Sequence, residues 1–387
     1  MTIEHIAAVA LAQIAAPPAP TPPPPAVFGA TMPERGPPPA PAIVEFGLAE
    51  VRCRGEVEVA ELAVKPLPSS TFMTPERPSP RFQIAFRIAA DGRPLGIGQP
   101  NRAERQPSFY LSNDDLVPAL AASRFKPGAE RVGCVASYDT VVTPVATADP
   151  EQLHRYLALP RLSGPAYRPV FERLRAEAAS CFTPEPPHPL LQGYPDFDAI
   201  PQPAGTLAYS MVGFDIDTRG VPNRVRTLSS DGNAAFDRAA VAAIAKSRFR
   251  AQPRTGCFYP YFRRQAAPTP PPPPPESESF KVAGANCDNK VPWAKTPVLV
   301  FPEPFRKRAI EGWAVVRYDV APWGATGKIE VLAAEPAAAF GDAARSVIAG
   351  ATRAPSPAGA TGCVDRVRFK MADVGQAANT LDVPPPF

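Results

Sequence analysis

Histidine is nearly absent. The 387 residues hold three, His5, His154 and His188, and none sits in the core of a recurring unit. The chain also lacks G-x-S-x-G, H-E-x-x-H and G-x-x-x-x-G-K-S/T, so nucleophilic hydrolysis, zinc proteolysis and P-loop chemistry have no carrier. No Cys-x-x-Cys occurs, which removes zinc-ribbon and thioredoxin-like readings. No catalytic residue, metal site, cofactor or small-molecule substrate is expected. A basic block is missing as well. The net charge is only +4, with Lys and Arg interspersed among Asp and Glu, and nucleic acid is not an expected partner. Finally, no apolar run reaches the ~20 residues of a membrane helix. The longest near the start, Ile6 to Ala16, is broken by Gln13. With Ala10-Leu11-Ala12 before Gln13 as a small-x-small cleavage pattern, residues 1–16 read as a possible signal segment, although Glu4 stands where a basic residue is usual.

What the chain has in excess is proline, 55 residues, and it is clustered. Residues 17–45, with Pro22 to Pro25 and Pro37 to Pro39, read as a spacer. So do residues 266–280, where Pro268 to Pro275 is interrupted only by Thr269. Such runs favour extended polyproline II, about 25 Å long in the second case.

Between the spacers one phrase returns. Ser123-Arg124-Phe125-Lys126 is followed by Arg131-Val132-Gly133-Cys134, and Ser247-Arg248-Phe249-Arg250 by Arg254-Thr255-Gly256-Cys257. Thr352-Arg353 followed by Ala360-Thr361-Gly362-Cys363 is a weaker copy. A phrase recurring in order marks tandem copies of one unit. Upstream of each lies an alternating strand: Phe82, Ile84, Phe86, Ile88; then Val212, Phe214, Ile216; then Val316, Tyr318, Val320. Asp91-Gly92 and Asp217-Thr218-Arg219-Gly220 supply turns in the first two copies. An Ala-rich helical stretch follows in all three, with Asn113-Asp114-Asp115 and Asp237 as caps and Asp342 opening the last helix. Strand, turn, strand, helix, strand predicts an α+β unit, a three-stranded antiparallel sheet with one helix. The layout expected is three such domains, at 46–147, 181–265 and 281–374. A helical connector at 148–180 and a tail at 375–387 complete it. His154 in the connector reads as a surface residue.

The six cysteines follow the copies. One precedes each and one closes it, at separations of 81, 76 and 76 residues. Near-equal spacing suggests the disulfides Cys53–Cys134, Cys181–Cys257 and Cys287–Cys363, and hence an oxidising compartment. Six buried thiols in a reducing compartment are the alternative. Asp215 with Asp217 admits two readings, paired carboxylates or flanks of a turn, and the alternation with Phe214 and Ile216 favours the turn.

At Phe301-Pro302, Ala309-Ile310-Glu311-Gly312-Trp313 and Tyr318-Asp319-Val320, the third copy resembles the C-terminal domain of TonB-type energy transducers. The second is similar through Tyr194-Pro195, Phe214-Asp215-Ile216-Asp217, Gly220, Asp237 and Arg248-Phe249. The first is similar through Phe86, Asp91-Gly92 and Arg124-Phe125-Lys126-Pro127. The third departs at Arg353-Ala354-Pro355, where the family has a basic-aromatic segment. The resemblance covers roughly two thirds of the chain. It implies a non-catalytic, exported TonB-like protein of the periplasm, anchored to the inner membrane only if its natural N-terminus is longer. It also implies a link to TonB-dependent transport. The expected partner is an outer-membrane receptor segment or other envelope protein that adds as a strand to an open sheet edge. The edges expected are Val135, Tyr138 and Val141; Phe258, Tyr259 and Phe262; and Val364, Val367 and Phe369. The competing expectation is a structural envelope protein whose repeats pack on one another.

Overall fold

The computed structural model describes residues 40–73, 80–102, 112–159, 164–264, 267–287 and 292–371. The expected signal segment, most of the first spacer and the expected tail lie outside these residues.

The described chain is α+β, with six helices and antiparallel sheets. In the first segment β1 (Ala40–Cys53), β2 (Ser69–Met73), β3 (Phe82–Ile88), α1 (Leu116–Ala122) and β4 (Arg131–Pro144) are the main elements. The connector is α2 (Pro150–Ala158) and α3 (Tyr167–Glu177). The second segment holds β5 (Ala208–Ile216), β6 (Pro222–Ser230), α4 (Ala234–Lys246) and β7 (Arg254–Arg263). The third holds α5 (Glu303–Lys307), β8 (Gly312–Val320), β9 (Thr326–Glu335), α6 (Ala338–Ala349) and β10 (Ala360–Phe369).

The second and third sheets share one topology. Their orders are β6-β5-β7 and β9-β8-β10, so the first strand of the hairpin is central and the strand after the helix adds to its far side. Each central strand is buried on both faces. Val212, Phe214 and Ile216 meet α4, while Tyr209 and Met211 lie on the face covered by α2. Val316, Tyr318 and Val320 share a core with Phe340, Ala344 and Ile348 of α6.

The recurring phrases have a common physical cause. Three or four residues past each helix the chain turns back onto the hairpin glycine: Phe125 N–H donates to Gly92 O, Phe249 N–H to Gly220 O, and Arg353 N–H to Gly324 O, each at 2.9 Å. Gly220 has φ +80°, and a Cβ there would sit 2.0 Å from the Phe249 carbonyl oxygen. Only glycine fits both the left-handed backbone and the close approach.

The first sheet departs from the expected three strands. It has seven, in the order Glu56–Val57, β1, β4, β3, Pro94–Leu95, with β2 also on β1 and Asn101–Arg102 also on β3. The added member is β1. It runs through residues 40–45, so this part of the expected spacer is strand. The reason is the apolar run Ala42-Ile43-Val44 with Phe46, all buried, which a spacer has no means to bury. Pro41 is tolerated because it lies at the strand's start, where its carbonyl accepts Val145 N–H at 2.9 Å.

Other local expectations shift. Asn233, rather than Asp237, caps α4 by accepting Phe236 N–H at 3.1 Å. Asp237 instead accepts the hydroxyls of Ser210 and Ser230, at 2.6 and 2.8 Å, and ties the helix to two strands. α6 begins at Ala338, a turn before Asp342. His154 is buried, not exposed, with Nδ1 3.0 Å from Ser229 Oγ across the α2–β6 contact. Burial holds its pKa below the usual histidine value.

The segments are not beads on spacers. Leu120 and Phe125 share one apolar core with Phe305, Ile310 and Phe340. Ile97 bonds the third segment through its own N–H to Pro336 O (3.0 Å) and through its carbonyl to Ala338 N–H (2.8 Å). Arg308, fully buried, donates Nε–H to Asp115 Oδ1 at 2.7 Å and a second bond to Oδ2. It also reaches Gly205 O and Lys65 O at 3.1 Å each, so all three segments meet at one guanidinium.

The second proline run is no free spacer either. Thr269 forms a parallel bridge with Ile310, and the prolines after it lie across the outer face of the third sheet, where Trp313 donates to Pro272 O at 2.7 Å.

Candidate functional site

The last strand of each sheet is where the chain offers main-chain groups, and the three differ. Antiparallel pairing uses the N–H and C=O of alternate residues on one side and leaves the others pointing outward. What meets the outward groups decides whether an edge is open.

On the first sheet the edge is filled. β4 lies between β3 and β1. Val135 pairs with Arg52, Tyr138 with Leu48 and Val141 with Glu45 on one side, while Val135 faces Ala85 and Tyr138 faces Phe82 on the other. The expectation of an open edge at Val135, Tyr138 and Val141 is therefore corrected. The physical reason is β1, whose buried Val44, Phe46 and Val51 hold it on the sheet. Cys53 and Cys134 stand directly opposite and are bonded, so the filling strand is covalently fastened.

On the second sheet β7 pairs with β5 through Phe258↔Gly213, Tyr259↔Val212 and Phe262↔Tyr209. Among the described residues no strand lies on its other side. Two features interrupt that side. Pro260 has no N–H, a known device for blunting edges. Thr255 N–H is taken by Ser180 Oγ at 3.0 Å. Phe258 packs on Phe182, and burial beside Tyr194 pushes the Tyr259 hydroxyl up to about 12.

On the third sheet β10 pairs with β8, with Val364 opposite Arg317, Val367 opposite Ala314 and Phe369 opposite Gly312. Phe369 is buried against Phe301 and Phe340, and Val364 packs with Trp313 and Val315. At the strand's start Thr361 exchanges two bonds with Asn286: its N–H reaches Oδ1 at 2.7 Å, and its carbonyl accepts Asn286 N–H at 3.2 Å. From Asp365 to Phe369 there is no proline, and no further strand lies alongside among the described residues. Arg368 in this stretch is exposed.

Carboxylates set the strands rather than forming a reactive pair. Asp215 accepts Gly256 N–H at 2.8 Å and Asp319 accepts Gly362 N–H at 2.9 Å, each from the glycine before the disulfide cysteine. That bond, with Lys328 nearby, holds Asp319 below the usual carboxylate range. Asp217 accepts Val221 and Arg219 N–H at 2.9 and 2.8 Å and closes the turn. Cys181–Cys257 and Cys287–Cys363 are bonded as well. Among the described residues no three His, Cys, Asp or Glu side chains gather as metal ligands do, and no helix is long and apolar enough to cross a membrane.

Residues 202–259 match the model of the Gram-negative bacterial TonB protein C-terminal family. Over these residues the second segment is similar to the TonB C-terminal family. The match takes in β5, β6 and α4 and ends within β7, so the TonB-type unit here is the hairpin, its helix and the start of the edge strand. No curated protein matches the chain. The docked strand β1 and the docked proline run escaped the sequence reading. The signal for β1 was present in Ile43, Val44, Phe46, Leu48 and Val51, but it adjoined a proline run and carried Glu45, Glu50 and Arg52 between.

Proposed function

We propose that the chain is an exported, non-catalytic TonB-like envelope protein built from three divergent copies of the TonB C-terminal unit. It binds an extended segment of an outer-membrane receptor, or another envelope protein, by strand addition. The edge assigned is β10 from Asp365 to Phe369. The carrying observation is β1 on β4: this chain already adds a strand to the corresponding edge of its first sheet, in cis and antiparallel. Five residues of open edge offer two or three outward donor–acceptor sets, with side-chain pockets left to select the sequence. The disulfides support an oxidising compartment, and the family match supports an envelope setting.

The test is photo-crosslinking in the native envelope from a probe replacing Arg368, which is exposed, whereas Val367 leans toward Ala314 and the core. Capture of a receptor's N-terminal segment is the expected result. Crosslinks confined to the chain itself or to a second copy retire the receptor role. A second reading has its own observation. The shared core and the Arg308–Asp115 pair lock the segments together, as a structural envelope protein requires. This packing also removes avidity from independently swinging domains, since the prolines at 270–275 are docked.

A further inference from the structure

The outer face of the third sheet holds a feature that strand addition does not use. Six consecutive prolines, Pro270 to Pro275, cross it. Their fixed φ favours polyproline II, which makes no internal hydrogen bonds and turns once in three residues. Its carbonyls therefore need outside donors. Trp313 Nε1–H donates to Pro272 O at 2.7 Å and Arg366 Nη1–H to Pro275 O at 3.3 Å, accepting carbonyls one polyproline turn apart. Arg93 Nη1–H, from the first segment, reaches Pro270 O at 3.2 Å. Thr269 anchors the entry, donating to Ala309 O at 2.7 Å and accepting from Glu311 N–H at 3.0 Å. The indole is 4% exposed and packs in its own small cluster with Val315 and Val364. Between the prolines and the start of β8 a cavity of about 250 Å³ remains, rimmed by Arg368 and Lys370.

We propose that this face is a polyproline II-recognition site, with Pro270–Pro275 as resident ligand, and that it accepts a proline-rich segment from another chain when the resident one is withdrawn. An aromatic N–H aimed at a proline carbonyl, flanked by a second donor one turn away, is the chemistry by which such segments are read. The site shares β10 with the proposed edge through Arg366 and Arg368, but it uses side chains on the sheet's face and not main-chain groups at its rim.

The test uses the full-length, disulfide-intact protein with residues 270–275 replaced by alternating Gly and Ser. The probe is a fluorescein-labelled peptide of residues 268–276, read by anisotropy. The emptied variant should bind it saturably, the parent chain at least tenfold more weakly, and a peptide with its prolines replaced by Gly and Ser not at all. Adding Trp313→Phe to the emptied variant should weaken binding at least tenfold. A folded, emptied variant that ignores the peptide overturns the proposal, as does one that binds it equally well with Phe at 313. Trp313→Phe in the otherwise natural sequence gives an independent readout should the emptied variant not fold. Tryptic cleavage at Arg264 and Lys281, on either side of the prolines, should quicken about fivefold for the loss of one hydrogen bond. Unchanged cleavage overturns the assignment.

Discussion

Arg308→Met is the sharpest probe of how the three segments hold together. Arg308 and Asp115 each have side chains only 1% exposed. Four hydrogen bonds leave this guanidinium: two to Asp115, one to Gly205 O and one to Lys65 O. Methionine keeps most of the volume and none of the donors. Asp115 would then stay buried with the Leu67 N–H, at 2.6 Å, as its one remaining donor among these contacts, and two carbonyls would lose theirs. Removing one member of a buried pair costs about 3–5 kcal/mol, mostly for the stranded charge. If that accounting holds, neutralising the charge should return part of the loss. The double variant Arg308→Met with Asp115→Asn should be more stable than Arg308→Met alone by about 1–3 kcal/mol. Urea unfolding followed by far-UV circular dichroism, with disulfides intact, measures all four corners of the cycle. A cost below about 1 kcal/mol for Arg308→Met, or a double variant whose loss is the sum of the singles, refutes the reasoning.

Three other outcomes follow from the geometry. His154 is kept neutral by burial, so the unfolded chain takes up a proton that the folded chain refuses. Stability should fall as pH drops below about 6.5, and His154→Asn should flatten that slope between pH 7.5 and 5; parallel slopes would contradict it. Gly220→Ala should cost at least about 2 kcal/mol, because left-handed backbone and a Cβ 2.0 Å from Phe249 O are both imposed, and a melting curve within a degree of the parent would be the wrong result. Replacing Cys181 and Cys257 together by serine should cost about 4 kcal/mol by loop entropy, and non-reducing peptide mapping should link the partners within each segment.

Local chemistry was legible in the sequence and remote partnership was not. Phe214 and Ile216 alternate because β5 is a strand, and Asp217 to Gly220 turn because a carboxylate and a glycine are both needed there. The repeated Arg-Phe phrase marks the return of the chain to the hairpin glycine, a contact only some thirty residues in span. The failures are long-range. Whether residues 40–45 are spacer or strand depends on β4, more than ninety residues away. Nothing near Asp115 announces Arg308, and nothing within a proline run announces Trp313. His154 reads as a surface residue because α2 is polar on its outer side, while its burial comes from a sheet formed later in the chain. Among the site residues, the edge at Val135, Tyr138 and Val141 misled because an edge is defined by what lies beside it.

The core shared by the first and third segments constrains the order in which the chain can fold. Phe305, Arg308, Glu335 and Phe340 close surfaces on residues 87 to 125, so the earliest-made sheet waits for some of the last residues to arrive. Until then Leu120 and its neighbours lack the third-segment side chains that cover them in the folded chain. A chain cut after β7 would leave that surface open for good. The three segments are thus not separable parts: none of them completes its own interior alone.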